Sequence, residues 1–289
     1  MDPLNVVRLA ALMDRTLGRP EISVGLIDGP VLLNHPNLAT HNIREIPGKI
    51  PGTCAHAQST ACMHGTFVAG ILCARRGTAA PAICPNCTFF VRPIFSEASD
   101  SNGMPSATPE EMAEAIVDSV DAGARVLNLS AALAQPSAKG EKALQQALDY
   151  AAGRGVIPVA ASGNQGMLAT SVITRHPSVI PVAACDLQGR PLAETNLGSV
   201  IGRRGLLAPG RSITSLGTGD SPQTFDGSSA AAPFVTGAIA LVWSEFPKAT
   251  SSTIRWAVTQ QPPLPRRAIV PPVLDGWAAY QTVSGSKWN

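Results

Sequence analysis

Short apolar runs rich in Val and Ile alternate along this chain with stretches of helical period, and that alternation constrains the fold more than any other feature. "ISVGLIDG" (22–29), "TFFVRPIF" (88–95), "RVLNLS" (125–130) and "GVIPVAAS" (155–162) are short, almost uncharged and bounded by turn-forming residues, as buried strands are. Between them, "HGTFVAGILCA" (64–74) predicts a helix whose small residues permit close packing. A second helix is opened by Thr108 as N-cap, Pro109 at N1 and Glu111 at N3, a capping-box arrangement, and is ended by Gly123. Met112, Ile116 and Val120 form its apolar face. A third is expected from about Lys139 to Ala152, with Leu144 and Leu148 inward. Strands separated by helices of this length require crossover connections. The predicted fold class is therefore α/β, with a mostly parallel sheet covered by helices on both faces. Residues 34–63, rich in Pro, Gly, Thr and His, read as a long loop.

A chain of 289 residues can bury one large core. With 45% apolar and 15% charged residues, it has the composition of a compact protein and not of a disordered one. No internal repeat or second core stands out, so one domain is expected over 1–289, its core at about 20–260. Val6, Leu9, Met13 and Leu17 predict an amphipathic helix over 5–17, ended by Gly18 and Pro20. At the other end, "QQPPLPRRAIVPP" (260–272) predicts an extended strap leading to a last helix in "LDGWAAYQTV", within 261–289. A net charge of +2 without any Lys/Arg block gives nucleic acid nothing to bind. Asp2, Arg8, Asp14 and Arg15 break up any signal-peptide core, and the most apolar stretch, "AAAPFVTGAIALVW", is too short to span a bilayer. The expectation is a cytoplasmic protein without membrane contact, unless an upstream export segment has been removed.

Six cysteines, at 54, 62, 73, 84, 87 and 185, leave the redox compartment open. Cys84 and Cys87 form a single C-x-x-C with no second pair at zinc-ligand spacing, so no structural metal is expected.

Functional side chains in open parallel sheets gather at the carboxyl ends of the strands. Asp28 ends the first strand, His64 opens a helix, Asn164 follows the 155–162 strand, and Ser228 and Ser229 precede the Ala-rich helix. Singly, each has a plainer explanation: a turn aspartate, a helix-start histidine, a loop asparagine, an N-cap serine. Jointly they are what acyl transfer through a serine needs, namely a nucleophile, a base, an orienting carboxylate and an oxyanion donor. Their order, Asp then His then Ser, is that of subtilisin.

The local words carry the same resemblance. "VGLIDGPVLLNHPNL", "HGTFVAGIL", "GVIPVAASGNQG", "LAPG" (207–210) and "GSSAAAPFVTGAIAL" (227–241) resemble, in order, the motif segments of the subtilisin-like (subtilase) family over about residues 20–260. The resemblance implies Asp28, His64 and Ser229 as the triad and Asn164 as oxyanion donor. Aligning the family's Gly-Thr-Ser-x-Ala-x-Pro on residues 227–233 makes Ser229 the nucleophile and puts Ser228 in the threonine slot, where relatives can add a hydrogen bond near the oxyanion. It further implies that Leu129, Ser130, Ala131 and Gly163 line the peptide-binding strand and S1 pocket, offering backbone hydrogen bonds to an extended peptide. Phe67 stands where the family has a second histidine, an altered pocket wall or core contact. "CARRGTAAPA" lacks the oxygen ligands of the family's calcium loop, so no metal or cofactor is implied. No inhibitory pro-domain of the family's kind fits before residue 20. "PNCTFFVRPIFSE" and "VVRLAALMDRTLG" resemble the cyanobactin-type peptide-maturation branch, whose cysteine matches Cys87. Asn37 occupies its partner's place, so a bridge from Cys87 would run to Cys54 or Cys62. The implied partner is a peptide substrate, such as a ribosomally made precursor. The implied activity is that of a serine endopeptidase. The alternatives are a transamidase that closes rings on the same scaffold, and a non-catalytic peptide-binding homologue. A transamidase needs a lid over the acyl-enzyme, and residues 40–62 lack the helical period of one.

Overall fold

The computed structural model describes residues 2–97, 107–130, 138–219, 221–259 and 267–285. Seven strands form one sheet: β1 (Ser23–Ile27), β2 (Ile43–Glu45), β3 (Thr88–Val91), β4 (Val126–Leu129), β5 (Ile157–Ala161), β6 (Ile180–Cys185) and β7 (Leu206–Pro209). Their order is β2-β3-β1-β4-β5-β6-β7, and every neighbouring pair is parallel. The inner strands are apolar along both faces because both faces are covered. Leu26, Val126 and Val159 point into one core, while Ile27, Leu127 and Ala160 point into another on the opposite face.

Among the described residues ten α-helices, α1 to α10 in chain order, surround the sheet. The first core holds α3 (Thr60–Cys73) and α8 (Ser228–Glu245), both buried over nearly their whole length. The second holds α4 (Pro109–Asp121) and α5 (Ala138–Gly153), which pack on one another. At α4 the capping box is made: Thr108 Oγ1 accepts from the Glu111 N–H at 3.1 Å and the Glu111 carboxylate accepts from the Thr108 N–H at 2.9 Å. Short helices α6 (Val172–Arg175) and α7 (Ser199–Arg204), and an antiparallel hairpin of β8 (Ile213–Ser215) and β9 (Gln223–Phe225), fill the connections before α8.

Four sequence expectations change. The helix expected over 5–17 is split into α1 (Pro3–Val6) and α2 (Ala10–Arg15), because Arg8 between them adopts φ 50 and pairs with Asp275 at 2.7 Å. Leu9 and Met13 stay buried, but Leu17, expected on the same face, is 41% exposed. The 34–63 loop contributes β2, an edge strand paired to β3, and the first turn of α3. The helix expected to open at His64 begins at Thr60, since Ser59 Oγ accepts the Cys62 N–H at 3.1 Å as its cap. Strands β6 and β7 come in addition to the four predicted. A signal for β6 exists: "VIPVAA" at 179–184 repeats the letters of 156–161.

Beyond α9 (Ser251–Thr259), the first part of the expected strap, residues 260–266, lies outside the described residues. Its end pairs with β7, where the Leu207 N–H donates to Pro272 and Leu207 accepts from the Leu274 N–H. That pairing covers the sheet's outer edge. α10 (Gly276–Gly285) then packs on α8, α9 and α2.

Candidate active site

The strand register assembles the site. Ile27 pairs with Leu129 and Leu129 with Ala160, so β1, β4 and β5 end side by side. Asp28, Ser130 and the loop carrying Asn164 therefore leave the sheet at one edge. Asp28 is 2% exposed and His64 5% exposed, and His64 Nδ1 lies 2.6 Å from Asp28 Oδ1. That oxygen also accepts the Gly29 N–H at 2.6 Å, while Asp28 Oδ2 is the one buried side-chain N or O atom without a partner among the described residues. A carboxylate oxygen left unpaired in the interior strengthens the pull on a cation beside it.

Two glycines bring this pair together. A Cβ on Gly29 would fall 2.0 Å from the Ala61 carbonyl oxygen, and one on Gly65 would fall 2.3 Å from that of Pro30. Neither side chain fits, so α3 lies directly against the turn after Asp28. Burial lowers the pKa of His64, but the Asp28 charge and hydrogen bond together outweigh it and hold the imidazole above the ordinary histidine value. Phe225 lies 6.1 Å from the His64 ring and meets Phe67 in a T-shaped contact at 4.7 Å. Phe67 is 1% exposed, which makes the residue in the second-histidine position a core contact behind His64.

Ser228 and Ser229 occupy N1 and N2 of α8, behind the N-cap Gly227. Neither serine caps the helix. Asn164 does so from outside, its Oδ1 accepting from Ser228 N–H at 2.8 Å and from Ser228 Oγ at 2.9 Å. Ser228 Oγ in turn accepts the Gly163 N–H at 3.1 Å. Because two donors claim Oδ1, the Asn164 amide must turn its Nδ2 the other way, along the mouth of α8. A Cβ on Gly227 would sit 2.6 Å from that nitrogen. The Ser228 hydroxyl thus orients Asn164, where the sequence expectation puts it near the oxyanion. Ser229 is left half-exposed at a helix N-terminus, whose dipole favours developing negative charge.

Pro233 has no N–H for the Ser229 carbonyl four residues earlier, and Ser130 Oγ reaches that carbonyl at 3.5 Å. Behind Ser130 runs a buried chain in which Thr236 Oγ1 donates to Asn128 Oδ1 at 2.8 Å and Asn128 Nδ2 to Ser130 Oγ at 2.6 Å. Sequence reasoning assigns no role to Asn128, Thr236 or Phe225; a lone asparagine inside the apolar run "VLNL" is the available signal. Of the expected substrate-binding residues, Leu129 is inside the sheet, Ser130 stands at its edge, Gly163 lies beside Ser228, and Ala131 lies outside the described residues.

Cys54 and Cys62 are bonded to each other, so neither pairs with Cys87, which is buried and free like Cys73, Cys84 and Cys185. The bridge ties the 52–56 loop to the first turn of α3, and Glu97 accepts from Ala55 N–H, His56 N–H and Ser59 Oγ beside it. Cys54, Cys62 and Glu97 are the one set of donor atoms among the described residues close enough for a metal, and the disulfide takes both sulfurs.

A model of the subtilase family matches residues 19–263, a span that contains Asp28, His64, Asn164 and Ser229. The chain belongs to the subtilase family. Subtilases are serine proteases. The thermophilic serine proteinase of Bacillus sp. (strain AK1) is 35% identical over 184 residues, which are 63% of this chain and 43% of that protein. This chain thus spans less than half the length of that relative. Among solved structures, the protease domain of PatA superposes with a TM-score of 0.81 at 29% identity, covering 94% of this chain and 98% of that one. The prenylagaramide maturation protease PagA gives 0.80 at 26% identity, covering 95% and 98%.

Proposed function

We propose that this subtilase hydrolyses peptide bonds through an acyl-enzyme on Ser229, and that its substrates are ribosomally made precursor peptides. One observation carries the reading: a buried His64–Asp28 pair shares the sheet edge with a half-exposed serine at the mouth of α8 and an asparagine anchored beside it. His64 takes the Ser229 proton through Nε2 and returns it to the leaving amine. Asp28 keeps Nδ1 protonated and stabilises the imidazolium. The Ser229 N–H and Asn164 Nδ2 receive the oxyanion, and loss of such an asparagine donor costs about 3–4 kcal/mol of barrier, because it meets charge that develops only in the transition state. Water then attacks the acyl-enzyme by the same proton path. The precursor-peptide part of the proposal is supported by the likeness to PagA, a maturation protease, and to the protease domain of PatA.

The test is intact mass after exposure to a fluorophosphonate. One adduct is expected on the unaltered chain and on Ser228→Ala, and none on Ser229→Ala. An adduct that survives Ser229→Ala, or none at all, sinks the assignment. With a cleavable peptide in hand, products that have gained one water per bond broken identify hydrolysis; a product that has gained none identifies transamidation.

A further inference from the structure

We infer that Asn196 is the positioning residue of the oxyanion donor, an inference that rests on the role proposed for Asn164. Asn164 stands on a loop, residues 162–167, that is exposed from 164 onward and so has few packing contacts to define it. Asn196 is 7% exposed and lies beneath that loop. Its amide uses all four of its hydrogen-bonding positions there. Oδ1 accepts from the N–H groups of Gln165 and Met167, both at 3.1 Å. Nδ2 donates to the Ser162 carbonyl at 3.2 Å and to Gln165 Oε1 at 2.6 Å. The two backbone donors fix which end of the amide is oxygen.

The same residue grips both sides of Asn164. Its own N–H donates to the Gly163 carbonyl at 2.9 Å, and its side chain holds Gln165. Gly163 has φ +102, and a Cβ there would fall 2.4 Å from Asn196 Nδ2, so the loop closes onto Asn196 as only a glycine allows. Among these bonds none reaches Ser229, His64 or the Asn164 side chain, so Asn196 acts through the loop and not on the reacting atoms. Water can replace the lost bonds of an exposed loop. Removing the amide therefore disorders the presentation of Asn164 and leaves the fold in place. An oxyanion donor works only within about 2.7–3.1 Å of the developing charge, and a displacement of about 1 Å costs on the order of 10²-fold.

The experiment measures the second-order rate of Ser229 labelling by a fluorophosphonate in five chains: unaltered, Asn164→Ala, Asn196→Ala, the double variant of these two, and Asn196→Asp. Asn164→Ala should slow labelling about 10²- to 10³-fold and Asn196→Ala about 10- to 10²-fold. The double variant should be no slower than Asn164→Ala, because the group to be positioned is already gone. Asn196→Asp, which keeps the two acceptor bonds, should recover part of the loss. Amide hydrogen exchange should quicken in residues 163–167 of Asn196→Ala and at Ser228, whose N–H bonds Asn164, and stay unchanged in the rest of α8. A rate equal to that of the unaltered chain, an equal further loss in the Asn164→Ala background, or faster exchange throughout α8 overturns the inference. If the unaltered chain takes no adduct at all, it is the catalytic reading that falls, and the exchange result still decides whether Asn196 holds the loop.

Discussion

At His64 two opposed effects meet in one imidazole. Burial disfavours the cation, the Asp28 charge and the 2.6 Å bond favour it, and the pKa ends above its ordinary value of about 6.5. A folded-state pKa raised above the unfolded one means that the protonated pair stabilises the fold fully below the unfolded value. That stability is lost as pH rises through the folded value. The proposed catalysis requires the other form, since only a neutral Nε2 can take the Ser229 proton. The labelling rate should therefore rise with pH along a limb centred above about 6.5. In Asp28→Asn, where burial acts alone, the limb should move below that value and the plateau should fall about 10⁴-fold. A limb that stays in place would refute the electrostatic account. Legible from the family's spacing is the proposal that Ser229, of the two adjacent serines, attacks. What the other one does is not, because a hydroxyl's partners are set by a strand end 64 residues away.

Among the elements, the approach of α3 to the turn after β1 decides whether Asp28 and His64 form a pair. Gly29 and Gly65, each directly after a proposed catalytic residue, remove the side chains that would hold the two backbones apart. Gly65→Ala should lower unfolding stability by about 1–3 kcal/mol through overpacking and should slow labelling at the same time. Urea unfolding beside the labelling rate checks both, and an unslowed rate would show that the helix can shift without opening the pair. Capping chemistry read from the sequence places α4 to the residue, because the Thr108 cap and Glu111 reply are local. For α3 the cap Ser59 sits in a stretch of polar and loop-forming residues and precedes a first turn whose apolar surface is provided by tertiary contacts, so the sequence puts its start four residues late.

Across the whole molecule, segments far apart in sequence lock one another. The Gly276 N–H donates to the Val7 carbonyl at 2.9 Å, and a Cβ on Gly276 would meet the Leu9 side chain at 2.5 Å. Leu9 is fully buried in the core shared by α3 and α8. Leu9→Ala should cost about 2–5 kcal/mol of unfolding stability with no change in the labelling rate, since the site lies at the carboxyl ends of β1, β4 and β5. Slower labelling of the folded variant would mean that this distant packing reaches the site.

Alternating buried strands and capped helices determined the parallel α/β class, because period and cap are properties of neighbouring residues. The spaced words around Asp28, His64, Asn164 and Ser229 determined the catalytic candidates, because each chemistry needs its own residue type at a strand or helix end. Tertiary structure alone decided the Cys54–Cys62 pairing, the break at Arg8, the edge strand β2 and the amide of Asn196 beneath its loop. Each of these depends on which distant backbones come within hydrogen-bond or bonding reach. That is a matter of register and packing, and no local pattern in the chain encodes it.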